Sequence, residues 1–258
     1  MNILDKIVVD KHKEVQAKQR VLTVDFLKKS PLFIRPLNSM SESIRSGSGI
    51  IAEFKRRSPS RSVINQTAAV ADVVRAYEKA GASAISVLGD TKYFGGALED
   101  LIQARNSVDI PVLRKEFIID PYQIYEAKAF GADTVLLIAA ILSEREITEF
   151  SKLAKSLGLE VLLEIHNKKE LENSDLTYVD MVGVNNRNLK TFEVSLEISK
   201  ELSMLIPDEK VKVSESGISS VEAINELRNY GYKGFLIGEN FMKTDDPGSS
   251  AAEFINKL

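Results

Sequence analysis

Short apolar segments recur along the chain, and most of them end in polar or charged residues. They are rich in valine, isoleucine and leucine and are too short to be typical helices. Segments that are apolar along their whole length are typical of parallel strands buried on both faces. The predicted strands cover residues 49–55, 84–89, 110–117, 134–140, 160–166, 181–187, 210–216 and 234–240.

Amphipathic segments separate these strands and predict helices. They cover residues 68–80, 97–107, 122–130, 144–156, 167–171, 195–205, 220–229 and 251–257. Strand and helix alternate as in βα units, and eight such units predict an α/β fold, the closed (β/α)8 or TIM barrel. The alternative is a doubly wound open sheet, which normally has fewer strands and a glycine-rich turn after the first one.

The first 48 residues precede this alternation and are predicted to be helical. Ile3, Ile7 and Val8 have helical spacing, and further helices are predicted over residues 24–29 and 40–46. We interpret residues 1–48 as an N-terminal helical extension that covers one end of a barrel formed by residues 49–258. No linker-like segment divides the chain, so a single domain over residues 1–258 is expected.

Composition narrows the classes of function. The net charge of −3 argues against binding of nucleic acid or of an anionic membrane surface through overall positive charge. The absence of cysteine excludes thiolate catalysis, and the two histidines, His12 and His166, are too distant in sequence to suggest a zinc site. The N-terminus lacks the apolar core of a signal peptide, so we expect a cytoplasmic protein without nucleic-acid or membrane partners.

The strand ends carry the residues that predict chemistry. In (β/α)8 barrels the active site lies at the C-terminal ends of the strands. Glu53 and Lys55 share one face of the first strand, where both can point into the barrel. Any one such residue could be a solvated end or a structural ion pair, and His166 fits a structural role better than a catalytic one. Their recurrence favours an active site, with charged or amide ends at 53–55, 114–116, 164–166, 185–187, 214–216 and 239–240.

Two further features favour a phosphate ligand. Gly217 and Gly238 end the last two strands, where many barrels bind phosphate through backbone N–H groups, although either could be a simple turn residue. The basic, hydroxyl-rich loop 56–60 could meet an anion or could merely be solvated.

The strand ends resemble those of the indole-3-glycerol phosphate synthase family over essentially the whole chain. The resemblance is carried by IIAEFKRRSPS (50–60), PVLRKEFIIDPYQIYEAKAFGAD (111–133), EVLLEIHN (160–167), GVNNRNLKTFEV (183–194), VSESGI (213–218) and FLIGENFM (235–242). It implies closure of the indole ring of carboxyphenylaminodeoxyribulose phosphate with loss of carbon dioxide and water. It also implies that no cofactor or metal takes part.

The resemblance assigns the acid and base roles. Lys115 would be a general acid near the ketone oxygen, and Glu164 would transfer protons during dehydration. Lys55 would contact the anionic groups of the substrate and could act as an acid in a later step, and Glu53 would hold the two lysines. A lysine donates most readily at neutral pH if burial or another cation lowers its pKa.

The remaining residues of the family pattern would bind and orient the substrate. Asn185 and Arg187 would orient the anthranilate portion, with Arg187 supporting the network near Glu53, and Ser216 would complete the polar wall. Residues expected to bind substrate or its phosphate are Ser58, Phe94, Phe117, Glu215, Gly217, Gly238 and Glu239.

This chain departs from the family pattern at two positions. Gly89 stands where a threonine is usual, which should make that strand end more flexible, and Asn188 stands where an aspartate is common. Neither departure touches the main catalytic set.

Other functions remain as alternatives. Phosphoribosylanthranilate isomerase has a similar fold but uses a cysteine base, which this chain lacks. A non-catalytic barrel subunit would be expected to have lost some of the charged strand ends. We expect a small phosphorylated substrate and a monomeric enzyme.

Overall fold

A computed structural model describes residues 3–188 and 191–258, and within these residues eight parallel strands close into a barrel. Each strand pairs with its neighbours in chain order, and the first pairs with the last. The open doubly wound sheet is therefore excluded. The strands are β1 (Ile50–Phe54), β2 (Ala84–Leu88), β3 (Val112–Lys115), β4 (Thr134–Ile138), β5 (Glu160–Ile165), β6 (Met181–Asn185), β7 (Val211–Glu215) and β8 (Tyr232–Ile237).

Helices surround the barrel and cover its ends. They are α1 (Ile3–Val21), α2 (Val24–Leu27), α3 (Met40–Ser46), α4 (Val70–Lys79), α5 (Thr91–Phe94), α6 (Leu98–Arg105), α7 (Tyr122–Ala129), α8 (Glu144–Ser156), α9 (Lys168–Glu172), α10 (Glu197–Ser203), α11 (Val221–Arg228), α12 (Glu239–Met242) and α13 (Pro247–Ile255). Single 3-10 turns cover Pro31–Ile34 and Ala139–Ile141.

The pleat of the strands separates two apolar cores. One face of each strand packs against the surrounding helices, through residues such as Ile50, Ile85 and Val161. The other face fills the barrel interior, through residues such as Ile51, Leu113 and Leu162. Because side chains alternate along a strand, the residues two positions beyond these interior ones also face inward, at the C-terminal end of the barrel. This alternation places the polar strand ends in one space.

The N-terminal extension covers both ends of the barrel, so the expectation that it covers one end was wrong. Met40 and Ile44 of α3 pack into the interior core at the end of the barrel where the strands begin. The Glu160 carboxylate at the start of β5 accepts hydrogen bonds from the backbone N–H groups of Met40 and Ser41. At the opposite end, Lys11 of α1 forms ion pairs beyond the ends of β2 and β3. Residues 22–39 connect the two ends along the outside of the barrel.

The last helix begins earlier than predicted. Residues 251–257 were expected to form it, but α13 starts at Pro247, with the Asp246 side chain accepting a hydrogen bond from the backbone of Ser249. A proline at the first helical position after an aspartate cap is a strong start signal. No helix among the described residues is long and apolar enough to span a membrane.

Candidate active site

A cavity of about 380 Å³ opens at the C-terminal ends of the strands. Its wall contains every residue that the sequence predicted for the site. These are Glu53, Lys55, Ser58, Phe94, Lys115, Phe117, Glu164, Asn185, Arg187, Glu215, Ser216, Gly217, Gly238 and Glu239. Residues up to 186 positions apart in the chain thus share one space, because all eight strand ends point the same way.

Lys115 occupies the centre of the polar floor. Its Nζ lies 3.0 Å from Oε2 of Glu215 and 3.3 Å from Oε2 of Glu164. Its side chain is 14% exposed, whereas both carboxylates are almost fully buried. The proposed acid and base of the sequence analysis are therefore in direct contact, and Glu215 joins them.

The pKa of Lys115 is raised, so the lowered pKa that would make a lysine the most effective donor at neutral pH is not found here. Burial acts to lower the pKa of its ammonium group, but the carboxylates of Glu215, Glu164 and Glu53 together outweigh burial. Lys115 is therefore firmly protonated at neutral pH. It can donate a proton only to an oxygen that becomes strongly basic, such as a developing alkoxide, and it stabilises that negative charge before donating.

Lys55 and Glu53 form a second ion pair beside the first. Nζ of Lys55 lies 2.7 Å from Oε1 of Glu53, and the hydroxyl of Ser86 donates to Oε2 at 3.3 Å. Burial acts to raise the pKa of Glu53, but Lys55 and Lys115 outweigh it and hold that pKa below the usual range. Glu53 is thus an ionised anchor for both lysines, through a hydrogen bond to Lys55 and through charge to Lys115.

Glu164 is ionised at neutral pH, whereas the pKa of Glu215 lies close to neutral pH. Burial acts to raise the pKa of Glu164, but Lys115, His166 and a 3.0 Å hydrogen bond from Asn185 lower it overall. Burial raises the pKa of Glu215 to about 7, against the lowering effect of Lys115 and with the help of the nearby negative charge of Glu164. At neutral pH Glu164 can therefore accept a proton, and Glu215 can either hold or release one.

Two glycines make room for the buried carboxylates. A Cβ atom at Gly183, in the middle of β6, would overlap Oε1 of Glu215. A Cβ atom at Gly238 would lie 2.7 Å from Oε1 of Glu53. Gly238 was predicted only as a backbone ligand of phosphate, and Gly183 was not singled out. A glycine inside an otherwise β-branched strand is the sequence signal for such a close approach.

The backbone after β7 has an unusual conformation. Ser216 and Gly217 follow one another with φ of 67° and 78°, and only the second is a glycine. A non-glycine residue in this region carries a conformational cost, which proteins retain mainly at functional sites. Both residues line the cavity, at the strand end where the sequence predicted a phosphate site.

The loop after β1 reaches across to the end of β8. Nη1 of Arg61 lies 2.9 Å from Oε1 of Glu239, in an exposed ion pair. Ser58 and Ser60 of the same loop line the cavity and lie 3.1 Å apart through their hydroxyl oxygens. Arg187 donates to the carbonyl of Phe192 at 3.3 Å, and the expected support near Glu53 is not among its described contacts.

Apolar side chains line the larger part of the cavity wall. The rings of Phe94 and Phe117 lie 5.8 Å apart between centroids, in a tilted arrangement that suits aromatic contact. Sequence reasoning missed the contribution of α1, which places Ile3, Leu4 and Ile7 on the wall. Further wall residues that it missed include Leu88, Leu136, Ile138, Phe192, Ser219, Leu236 and Lys243.

Comparison with known proteins shows the family of this chain. The family model of indole-3-glycerol phosphate synthase matches residues 4–254. The chain belongs to the indole-3-glycerol phosphate synthase family. It is 47% identical over 258 residues to the indole-3-glycerol phosphate synthase of Bacteroides thetaiotaomicron, covering 100% of this chain and 99% of the relative. It is 44% identical over 258 residues to that of Neisseria gonorrhoeae, covering 98% of both.

Solved structures share the fold at much lower identity. An N-acetylmannosamine-6-phosphate 2-epimerase from Clostridium perfringens has a TM-score of 0.62 at 14% identity, covering 87% of this chain and 98% of the other. A chain of the tryptophan synthase complex from Pyrococcus furiosus has a TM-score of 0.59 at 15% identity, covering 82% and 97%. These likenesses establish the barrel architecture and nothing further.

The departure from the indole-3-glycerol phosphate synthase pattern at Gly89 lies beside a buried ion-pair cluster. A Cβ atom at this position would lie 2.9 Å from Oε2 of Glu116. Glu116 is buried and pairs with Lys11 of α1 at 3.1 Å, and Lys11 also pairs with Asp90 at 2.9 Å. Gly89 thus leaves space for the carboxylate that ties the N-terminal helix to the mouth of the barrel.

Proposed function

We propose that this chain closes the indole ring of 1-(2-carboxyphenylamino)-1-deoxyribulose 5-phosphate and releases carbon dioxide and water to give indole-3-glycerol phosphate. The supporting observation is the Lys115–Glu164–Glu215 cluster at the polar floor of a cavity whose wall is otherwise largely apolar. The reaction needs a proton donor at the ketone oxygen, a base for dehydration and an apolar space for the aromatic ring. Membership of the family supports the same assignment.

Lys115 is the proposed acid of ring closure. As carbon attacks the ketone, negative charge develops on its oxygen, and the buried ammonium group stabilises that charge and then protonates it. Glu215 lies 3.0 Å from Lys115 and has a pKa raised by burial to about 7, so it can return a proton to the lysine. This assigns Glu215 a role in proton transfer as well as in binding.

Glu164 is the proposed base of dehydration. Its pKa is lowered overall, because Lys115, His166 and Asn185 outweigh the effect of burial, so it is ionised and can accept a proton. The same negative charge stabilises the positive charge that develops on the substrate nitrogen. Asn185 fixes the carboxylate through its 3.0 Å hydrogen bond.

Lys55 and the ends of β7 and β8 are the proposed anion sites. Lys55 lies at the cavity wall, where it can meet the carboxylate that is lost as carbon dioxide. The phosphate would be bound by backbone groups of Gly217 and Gly238 together with Ser58 and the residues around Glu239. Phe94 and Phe117 would contact the aromatic ring.

We further infer that the chain acts as a single-domain monomer in the cytoplasm. The proposed catalytic and binding groups all come from one barrel, so the proposed chemistry requires no second subunit. Light scattering of the purified protein at working concentration tests the monomer, and a stable dimer would contradict it.

Indole fluorescence tests the proposed function. Purified protein mixed with the ribulose phosphate substrate should produce fluorescence that grows with time and with enzyme concentration. A well-folded preparation at high enzyme concentration that produces no signal would contradict the proposal.

A further inference from the structure

His166 lies between two carboxylates just behind the cavity wall. It is the first residue after β5. Its Nε2 lies 3.3 Å from Oε1 of Glu164, and its Nδ1 lies 3.2 Å from Oε2 of Glu170 on α9. The side chain is 11% exposed, so little solvent intervenes between these groups.

Glu170 is fixed independently of the imidazole. The backbone N–H of His166 donates to Oε2 of Glu170 at 2.7 Å, and the amide of Asn167 donates to Oε1 at 2.7 Å. Asn167 also caps α9 by accepting from the backbone N–H of Glu170. The carboxylate is therefore preorganised opposite Nδ1.

This geometry indicates how many protons the imidazole ring of His166 carries. A neutral imidazole carries one N–H, so either tautomer would turn a nitrogen lone pair towards one of the two carboxylates. Nε2 is buried and makes no aligned hydrogen bond with any atom of the described residues, so a lone pair there would face Glu164 without compensation. The imidazolium presents an N–H to both sides and is attracted to both.

The other charges around the ring favour the same state. Burial acts to lower the pKa of His166, but Glu170, Glu164 and the more distant Glu215 outweigh it and raise that pKa above the usual value. Lys115 also pairs with Glu164, but through Oε2, whereas His166 faces Oε1.

We propose that His166 is a positioning residue for Glu164, held as an imidazolium by Glu170, and that this cation keeps Glu164 ionised and oriented for proton transfer. This inference rests on the proposed function of Glu164. The array has the logic of an acid–base triad, in which an outer carboxylate fixes the charge and direction of a histidine. Here the histidine acts on a second carboxylate, which is the group that would touch the substrate.

The charge on His166 can be measured without any catalytic assay. The chain has two histidines, so nitrogen NMR of protein labelled at histidine gives two pairs of ring-nitrogen signals, and His12→Gln assigns each pair to its residue. We expect both ring nitrogens of His166 to carry protons at pH 7.5, and Glu170→Gln to lower the pH at which the charge is lost. A neutral His166 ring at pH 7 in the unaltered protein would overturn the proposal, whatever the enzyme's activity.

The pH profile of kcat tests the consequence for catalysis. Glu170→Gln should move the alkaline fall in kcat to lower pH by about one unit, because removing one neighbouring carboxylate lowers the pKa of the imidazolium. KM should change little, since Glu170 does not line the cavity. His166→Gln, which retains a neutral donor, should remove the contribution of the imidazolium to that fall, leave the contribution of Glu215, and lower kcat about tenfold.

The matched control is Glu172→Gln on the same helix. Glu172 is 60% exposed and pairs only with Lys168 among the contacts described for it. Its profile should match that of the unaltered enzyme. Identical pH profiles for the Glu170 and Glu172 variants would overturn the proposal. A protein with no turnover but a charged His166 would instead contradict the proposed function alone.

Discussion

Nζ of Lys115 lies 3.3 Å from Oε2 of Glu164, so the proposed acid and the proposed base neutralise each other before substrate binds. The contact explains why both groups can be ionised within a cavity that buries them. It also means that the reacting part of the substrate must enter between them. Lys115 would then donate its hydrogen bond to the ketone oxygen instead of to Glu164. The Glu164 carboxylate would be left free to act as a base.

Replacing Lys115 should abolish ring closure. Lys115→Met removes the ammonium group, and turnover should fall by at least about a hundredfold, because a positioned acid contributes about 10²–10⁴-fold. Lys115→Arg retains the charge but barely donates a proton, so the turnover of this variant should also fall strongly. The measurement is kcat by indole fluorescence, with circular dichroism to confirm folding. A near-normal rate for Lys115→Met would remove this residue from the acid role.

Replacing Glu215 should change how stability depends on pH. Because the folded-state pKa of Glu215 is raised from 4.5 to about 7, its favourable contribution is complete below pH 4.5 and is lost as pH rises through 7. Glu215→Gln cannot ionise. Its free energy of unfolding, relative to the unaltered protein, should therefore improve by about 1–3 kcal/mol between pH 5 and pH 8. A difference that stays constant over this range would contradict the raised pKa.

Replacing Lys11 should loosen the N-terminal helix from the mouth of the barrel. Lys11→Met leaves the buried carboxylate of Asp90 without its cation and Glu116 with only the longer contact to Arg114 at 3.7 Å, at a cost of about 3–5 kcal/mol in the free energy of unfolding. KM should also rise, because α1 supplies part of the cavity wall. Urea unfolding and steady-state kinetics measure both effects. Lys13→Met, at an exposed position of α1, is the control and should change neither.

Replacing Gly217 should weaken binding of the phosphate. Gly217→Ala adds a Cβ atom at φ of 78° that would overlap the side chain of Val194, so either that side chain or the strained backbone of the turn must move. KM for the substrate should rise about tenfold, which corresponds to about 1.4 kcal/mol, and inhibition by inorganic phosphate should weaken. Gly231→Ala, with φ of 85° and outside the cavity wall, is the control and should lower stability without altering KM.

The barrel could be predicted from the sequence because each of its parts is specified locally. Residues 144–156 were predicted as a helix and form one, with Ser143 and Glu146 in a capping box at its start. Gly81 and Gly131 end helices with φ of 93° and 94°, a left-handed conformation that glycine adopts without strain. The extension was harder, because its helices are placed by contacts such as Lys11 with Glu116, which are distant in sequence.

The site could be predicted as a set of residues but not as a network. The alternation of β1 correctly placed Glu53 and Lys55 on one inward face. The pKa of Lys115 was not predictable, because it depends on three carboxylates from other strands that balance its burial. The space that Gly183 leaves for Glu215 is also a relation between neighbouring strands, which sequence spacing does not reveal.

A single-turnover experiment with Glu164→Gln tests the division of labour between the acid and the base most directly. Release of carbon dioxide reports ring closure and decarboxylation, and indole fluorescence reports the dehydration that follows. We predict that the variant releases carbon dioxide but forms the indole at least about a hundredfold more slowly than the unaltered enzyme. Formation of both products together at the unaltered rate would contradict the assignment of Glu164 as the base.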